Sequence, residues 1–140
     1  MTIARVAVDF GLVVLIWLVQ LIIYPGFAYY SPAELALWHP RYTNLITLIV
    51  GPLMLAQLGL YAWALHSRFD LLTFLGAGLV VVTWVSTAVQ AIPLHNQISA
   101  GLDVAVAVTN LVRVNWVRTL AWTVLFGLDL LALYGRSTHR

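Results

Sequence analysis

Three uncharged, strongly apolar runs dominate the chain. They cover residues 10–33, between Asp9 and Glu34, residues 42–65, between Arg41 and His66, and residues 71–94, between Asp70 and His95. Each is long enough to supply the ~20 apolar residues that cross a hydrocarbon core. A fourth apolar stretch, residues 111–134, carries Arg113, Arg118 and Asp129. A charge at the centre of an isolated helix costs ~2.5–3.5 kcal/mol on insertion. Residues 120–126 and 130–134 are nevertheless free of charge except at their flanks, and the length is right. The pattern predicts an all-α, polytopic membrane four-helix bundle. It forms a single domain over residues 1–140, with spans at about 8–28, 42–65, 71–94 and 111–134. Arg5, the apolar run behind it and Gly26-Phe27-Ala28 share the layout of a secretory signal. We read the segment as a retained first span.

The breaks between the runs carry their own signals. Ser31-Pro32-Ala33-Glu34 is a capping box with Pro at the first helical position. Pro40 is expected to end the helix that it starts, which makes a short interfacial helix in the first outer loop. Glu34 then caps that helix, with a site role as the alternative. Gly51-Pro52 should kink the second span and open space in the outer half of the bundle. Residues 96–110 read as a long outer loop, whose apolar part at 104–108 suggests an early, interfacial start to the fourth helix. Tyr24, Tyr29, Tyr30, Trp38 and Tyr42 crowd one boundary, and Tyr61, Trp63 and Tyr134 the other. Aromatic belts at headgroup level explain such clusters.

Composition strengthens the membrane reading. The chain is 62% hydrophobic and 9% charged, against about 45–50% and about 25% in soluble domains. Lysine and cysteine are absent, which excludes disulfides and thiolate sites. Seven arginines against five acids leave a formal charge of +2. They are scattered rather than clustered, so nucleic acid is not an expected partner. Arg5, Arg68, Arg136 and Arg140 lie on the side of the termini, against Arg41 on the other side. This bias predicts that both termini are cytoplasmic. The expected location is a cell membrane, of the bacterial inner type, with membrane lipids as neighbours.

The polar residues inside the spans are the chemically informative ones. Gln20 and Tyr24 are four apart, Thr83, Thr87 and Gln90 follow at i, i+4 and i+7, and Asn115, Arg118 and Trp122 at i, i+3 and i+7. Such spacing stacks side chains on one helix face. Polar groups at membrane depth must turn inward. Gln20, Tyr24, Gln90, Asn115, Arg118 and Trp122 are therefore expected to line an outer-side pocket, together with Asn44 and Thr47. Arg118 lies a turn inside the membrane, and its planar fork suits an anionic or carbonyl-bearing ligand. Arg113 is nearer the water and reads as an anchor that snorkels to headgroups. Asp9 lies eleven residues before Gln20, and Asp129 eleven after Arg118, nearly three full turns in each case. The two carboxylates are expected to approach each other at the inner end, neutralised by Arg5 and Arg136, either as a structural ion pair or as a proton path.

His39 and His95 invite a metal reading. A metal site normally needs three or four ligands, and no HxxxH, HExxH or cysteine pattern is present. Acid–base or hydrogen-bonding duty suits the two histidines better. No metal and no cofactor are expected, and no phosphate loop, dinucleotide fingerprint or GxSxG occurs.

Tyr24-Pro25-Gly26-Phe27, Trp38-His39, Gly51-Pro52-Leu53-Met54, Pro93-Leu94-His95-Asn96 and Asn115-Trp116-Val117-Arg118-Thr119 occur in one order along most of the chain. In this the sequence resembles small bacterial four-helix membrane proteins related to the anthrone-oxygenase-like family. The resemblance implies a pocket built on Asn115, Arg118 and the polar mouth around His95. It implies oxygenase-type chemistry on polycyclic aromatic anthrones without an evident cofactor. The expected function is thus binding, or cofactor-independent oxygenation, of a lipophilic aromatic or quinone-like molecule. In that reading Arg118 stabilises enolate or phenolate charge, and His95 or His39 acts as general base. The alternative is a non-enzymatic accessory subunit of a larger membrane complex, or a homo-oligomer. A transporter would need oligomerisation.

Overall fold

The computed structural model describes residues 2–67 and 70–137, with the side chains of residues 136 and 137 outside that description. Four helices make up the fold: α1 (Thr2–Tyr29), α2 (Pro32–Ser67), α3 (Leu71–Ser99) and α4 (Val104–Ser137). All four are long and apolar enough to cross a membrane. Short connections make consecutive helices antiparallel neighbours. Each helix packs on the next in sequence, and α1 closes the ring against α4. Leu12, Ile16, Leu35, Met54, Val108, Leu111 and Trp122 fill the main core. Tyr61, Val80 and Leu125 form a smaller one beside it. The outward faces carry residues such as Leu48, Val89 and Leu131, all largely exposed.

The helix ends follow the local chemistry. At the start of α2, Ser31 N and Oγ donate to Glu34 Oε2 at 2.9 and 2.7 Å, and Glu34 N donates back to Ser31 Oγ at 3.3 Å. Glu34 is therefore a cap. Asp70 caps α3 by accepting from Thr73 N at 2.9 Å. α3 ends in a Schellman turn: Leu102 N donates to Gln97 O at 3.0 Å and Gly101 N to Ile98 O at 3.1 Å. Gly101 sits at φ +70, where a Cβ would be strained.

Two expectations about boundaries, the short helix and the long loop, are corrected. No separate helix forms in the first loop. Pro32 to Ser67 is one helix, and Pro40 lies inside it. Pro40 removes one backbone bond, but His39 beside it is fully buried and bonded to α3. These tertiary contacts hold the turn. The spans at 8–28, 42–65, 71–94 and 111–134 are portions of longer helices. The loop expected at 96–110 shrinks to a four-residue connection, because α3 continues to Ser99 and α4 already begins at Val104.

Two helices are locally widened. Val19–Ile23 in α1 and Thr87–Ala91 in α3 are π-helical turns, closed by Tyr24 N→Val19 O and Ile92 N→Thr87 O. In both cases a proline follows two residues later, Pro25 and Pro93. A proline leaves the carbonyl four residues before it without its usual donor. A π turn is one way for the ladder to absorb that fault, and it re-aims the side chains beyond it.

Candidate functional site

Both π turns border a cavity of about 390 Å³, lined by Val19 of the first and by Thr87 and Ala91 of the second. Its apolar wall includes Leu15, Ile16, Val50, Met54, Trp84 and Trp122. Gly51 lines it too, so the cavity lies against the stretch where the sequence expects space to open. Polar atoms enter from Tyr24, Thr87, His95, Ser99 and Arg118.

Arg118 is the centre of this site. It is 6% exposed, while Arg113, one and a half turns earlier, is exposed. Its Nη2 donates to Asn115 Oδ1 at 2.5 Å and, at a longer 3.4 Å, to Tyr24 Oη. Nη1 reaches Thr87 Oγ1 at 3.5 Å. Nε has no hydrogen-bond partner among the described residues. A guanidinium has five donors, and only one of the bonds made here is short. All five acids of the chain are placed elsewhere. Glu34 and Asp70 cap helices, Asp103 lies in the α3–α4 turn, and Asp9 and Asp129 lie at the other end of the molecule. The cavity thus has a buried cation on its wall that forms no ion pair among the described residues.

Asn115 and, behind it, Gln20 hold the Arg118 fork. Asn115 Nδ2 donates to Gln20 Oε1 at 2.8 Å, and Gln20 Nε2 donates to Val112 O at 3.2 Å. Thr119 Oγ1 donates to the same Gln20 oxygen at 3.2 Å. On the other side runs a chain of rings. Tyr24 Oη is 2.9 Å from His95 Nε2, His95 Nδ1 is 2.9 Å from His39 Nε2, and His39 Nδ1 is 2.8 Å from Ser99 Oγ. The imidazoles stack at 5.0 Å between centroids, and Phe27 and Tyr42 pack on the His39 ring. Among the described residues no group of three or more His, Cys, Asp or Glu side chains could hold a metal ion.

Gln20, Tyr24, His39, His95, Asn115 and Arg118 therefore belong to one connected network, but Gln20 and Asn115, expected on the pocket wall, stand behind it with His39, while Tyr24, His95, Arg118 and Trp122 line the cavity. Gln90 does not join them. It is half-buried and accepts from Ser86 Oγ at 2.7 Å. The π turn explains this difference. The extra residue moves the inward position of α3 from 90 to Ala91, which is 2% exposed. Ser99 and Tyr42 have parts that the sequence reading does not give them. Ser99 lies where a loop is expected, and Tyr42 looks like a belt residue. Its place three residues after His39 on one face of α2 is the available signal.

The end that carries the two termini holds a separate polar cluster. Arg5 Nη2 pairs with Asp129 Oδ1 at 2.6 Å, and Nη1 donates to Thr73 Oγ1 at 3.1 Å. Asp9 Oδ1 accepts from Gln57 Nε2 at 2.6 Å, and Oδ2 from Tyr61 Oη at 3.4 Å. Arg5 joins the two carboxyl groups in one cluster, its guanidinium lying 4.8 Å over the Tyr61 ring that bonds Asp9. The side chain of Arg136, the other expected counter-charge, lies outside the described residues. Gln57 links this cluster to the cavity, since its Oε1 accepts from Trp122 Nε1 at 3.1 Å. Gln57 and Thr73 escaped the sequence reading. A lone Gln between apolar turns is itself a signal, because at that depth it needs a partner. No family model, no curated protein and no solved structure matches this chain.

Proposed function

We propose that the chain is an integral protein of a cell membrane, of the bacterial inner type and with both termini cytoplasmic. We further propose that its outer cavity binds a lipophilic aromatic or quinone-like molecule bearing an acidic hydroxyl or an enolisable carbonyl. The observation that carries this reading is Arg118. Burying a guanidinium without a counter-charge is costly unless acceptors or a ligand compensate. Here it faces an apolar space large enough for such a molecule, with Trp84 and Trp122 on the wall. An enolate or phenolate oxygen supplies the missing charge, and the aromatic body fills the rest.

The resemblance to anthrone-oxygenase-like proteins points to the same chemistry. An enolate held there is electron-rich enough to react with dioxygen itself, giving quinone and water from an anthrone and one O₂, with no resident cofactor. In that reading Arg118 holds the developing oxyanion, while Gln20 and Asn115 keep its fork in place.

Binding tests the proposal directly, because tryptophans line the cavity. Titrating detergent-purified protein with 2-hydroxy-1,4-naphthoquinone should quench tryptophan fluorescence saturably. The O-methyl ether, which lacks the acidic proton, should bind at least about tenfold more weakly, the loss of roughly one charge-assisted hydrogen bond. Equal binding of the two compounds, or no saturable binding, would refute the anion-site reading and leave the accessory-subunit alternative.

A further inference from the structure

The chain of hydrogen bonds running from Arg118 to Ser99 has a direction, and a single group sets it. A guanidinium can only donate. Its Nη2 points at Tyr24 Oη, so the tyrosine oxygen accepts on that side. Among the described residues, the acceptor left within reach of the phenolic proton is His95 Nε2 at 2.9 Å. That nitrogen must be bare to accept, so the neutral His95 ring carries its proton on Nδ1. His95 Nδ1 faces His39 Nε2 at 2.9 Å, and the same logic leaves His39 with its proton on Nδ1, aimed at Ser99 Oγ at 2.8 Å. An N···N hydrogen bond also requires one bare nitrogen, so the two rings cannot both be doubly protonated. Every proton in the chain points away from Arg118.

The ends of the chain give it a use. Tyr24, beside Arg118, opens on the cavity. His39 is fully buried. Ser99, at the margin of the same cavity, is half-buried on the last turn of α3, next to the exposed residues 100–102 of the connecting turn. We propose that Tyr24, His95, His39 and Ser99 form a polarised proton relay that takes a proton from a molecule in the cavity to water at the outer end. Tyr24 is its catalytic residue. This assignment rests on the reading of the cavity as a site for an acidic lipophilic molecule.

The step balances without any co-reactant. The ligand's O–H or acidic C–H bond breaks, and its proton goes to the Tyr24 oxygen. The phenolic proton passes to His95 Nε2, and the His95 Nδ1 proton to His39 Nε2. The His39 Nδ1 proton passes to Ser99 Oγ, and the Ser99 hydroxyl releases its own proton to water. Each relay group remains neutral with its proton on the opposite side. The ligand anion stays against Arg118, and the reversed chain now ends in a Tyr24 hydroxyl that donates to it. His95 also lines the cavity, but Tyr24 engages its Nε2 and His39 its Nδ1, so the histidines act through Tyr24 rather than on the ligand, which distinguishes this arrangement from a histidine acting directly as the general base.

Two measurements test the relay. In ¹⁵N-histidine-labelled protein without ligand, nitrogen shifts should show His39 and His95 both protonated at Nδ1. Saturation with 1-naphthol, a weak acid that enters as the neutral phenol and so brings its proton with it, should move both protons to Nε2. In stopped-flow mixing with a pH-indicator dye, at 1-naphthol concentrations that saturate each protein, Ser99→Ala should release the proton at least about a hundredfold more slowly than the parent, the scale of a lost acid–base step. An Nε2 proton on either ring in the free protein, or an unchanged release rate in Ser99→Ala, would overturn the relay while leaving the anion site standing. Correct tautomers with no naphthoquinone binding would refute the anion site, and the relay's role as a ligand's proton path with it.

Discussion

Arg118 and Arg113 show what one side chain's surroundings can decide. They are five residues apart, so they project about 140° from each other around α4. One is buried among Asn115, Tyr24 and Thr87, and the other is exposed. Replacing Arg118 by Lys keeps the charge but substitutes a point for a planar fork. The Arg118→Lys variant should fold and lose naphthoquinone affinity by about tenfold or more, one charge-assisted bond. Arg113→Lys should match the parent in both thermal stability and affinity. Parallel titrations of the two variants decide the matter, and identical behaviour would reduce both arginines to membrane anchors. The polar members of this site were legible in the sequence because each is an anomaly in an apolar run. Ser99 and Tyr42 were not, since a serine near a helix end and a tyrosine near a boundary have ordinary explanations.

For whole helices, the sequence reading succeeded where local chemistry rules and failed where packing does. The capping box at Ser31–Glu34 and the Asp9–Asp129 approach follow from spacing alone. The continuous run of α2 through Pro40 does not, because it depends on His39 being fastened to another helix. The place of Gln90 does not either, because a π turn shifts the register that the spacing argument assumes. Helix packing also makes a sharp distinction between two glycines of α3. A Cβ on Gly76 would lie 2.6 Å from Tyr61 Cε1, whereas one on Gly78 meets nothing within 4 Å. Tyr61 is 2% exposed and donates to Asp9, so it has little room to yield. Gly76→Ala should therefore lose about 1–3 kcal/mol through overpacking. Gly78→Ala should be neutral, or more stable by up to about 1 kcal/mol. Thermal denaturation of both in the same detergent gives the comparison.

At the scale of the whole molecule, two buried polar clusters sit at opposite ends of one apolar bundle, joined through Gln57 and Trp122. The proposed orientation puts the Arg5–Asp129 end on the cytoplasmic side and the Arg118 end outside. The chain contains no cysteine, so single cysteines report cleanly. One introduced at Ser67 should react with an impermeant maleimide only in inverted vesicles, and one at Gly101 only in right-side-out vesicles. Labelling of Gly101→Cys from the cytoplasmic side would reverse the assignment. The four-helix layout was legible from hydropathy and a pocket from the polar residues within the spans, but the shape of the cavity was not, because it depends on how the faces meet. The π turns add a consequence for how this protein tolerates sequence change. Each is in effect one surplus residue, whose loss would restore ordinary pitch and rotate everything beyond it by about 100°. Ala88 is exposed, so Ala88→Leu should pass unnoticed. Deleting Ala88 should instead swing His95 away from both Tyr24 and His39 and abolish naphthoquinone binding, while the inner cluster keeps the fold intact. The outer site is thus most vulnerable to a change in count at positions where identity hardly matters.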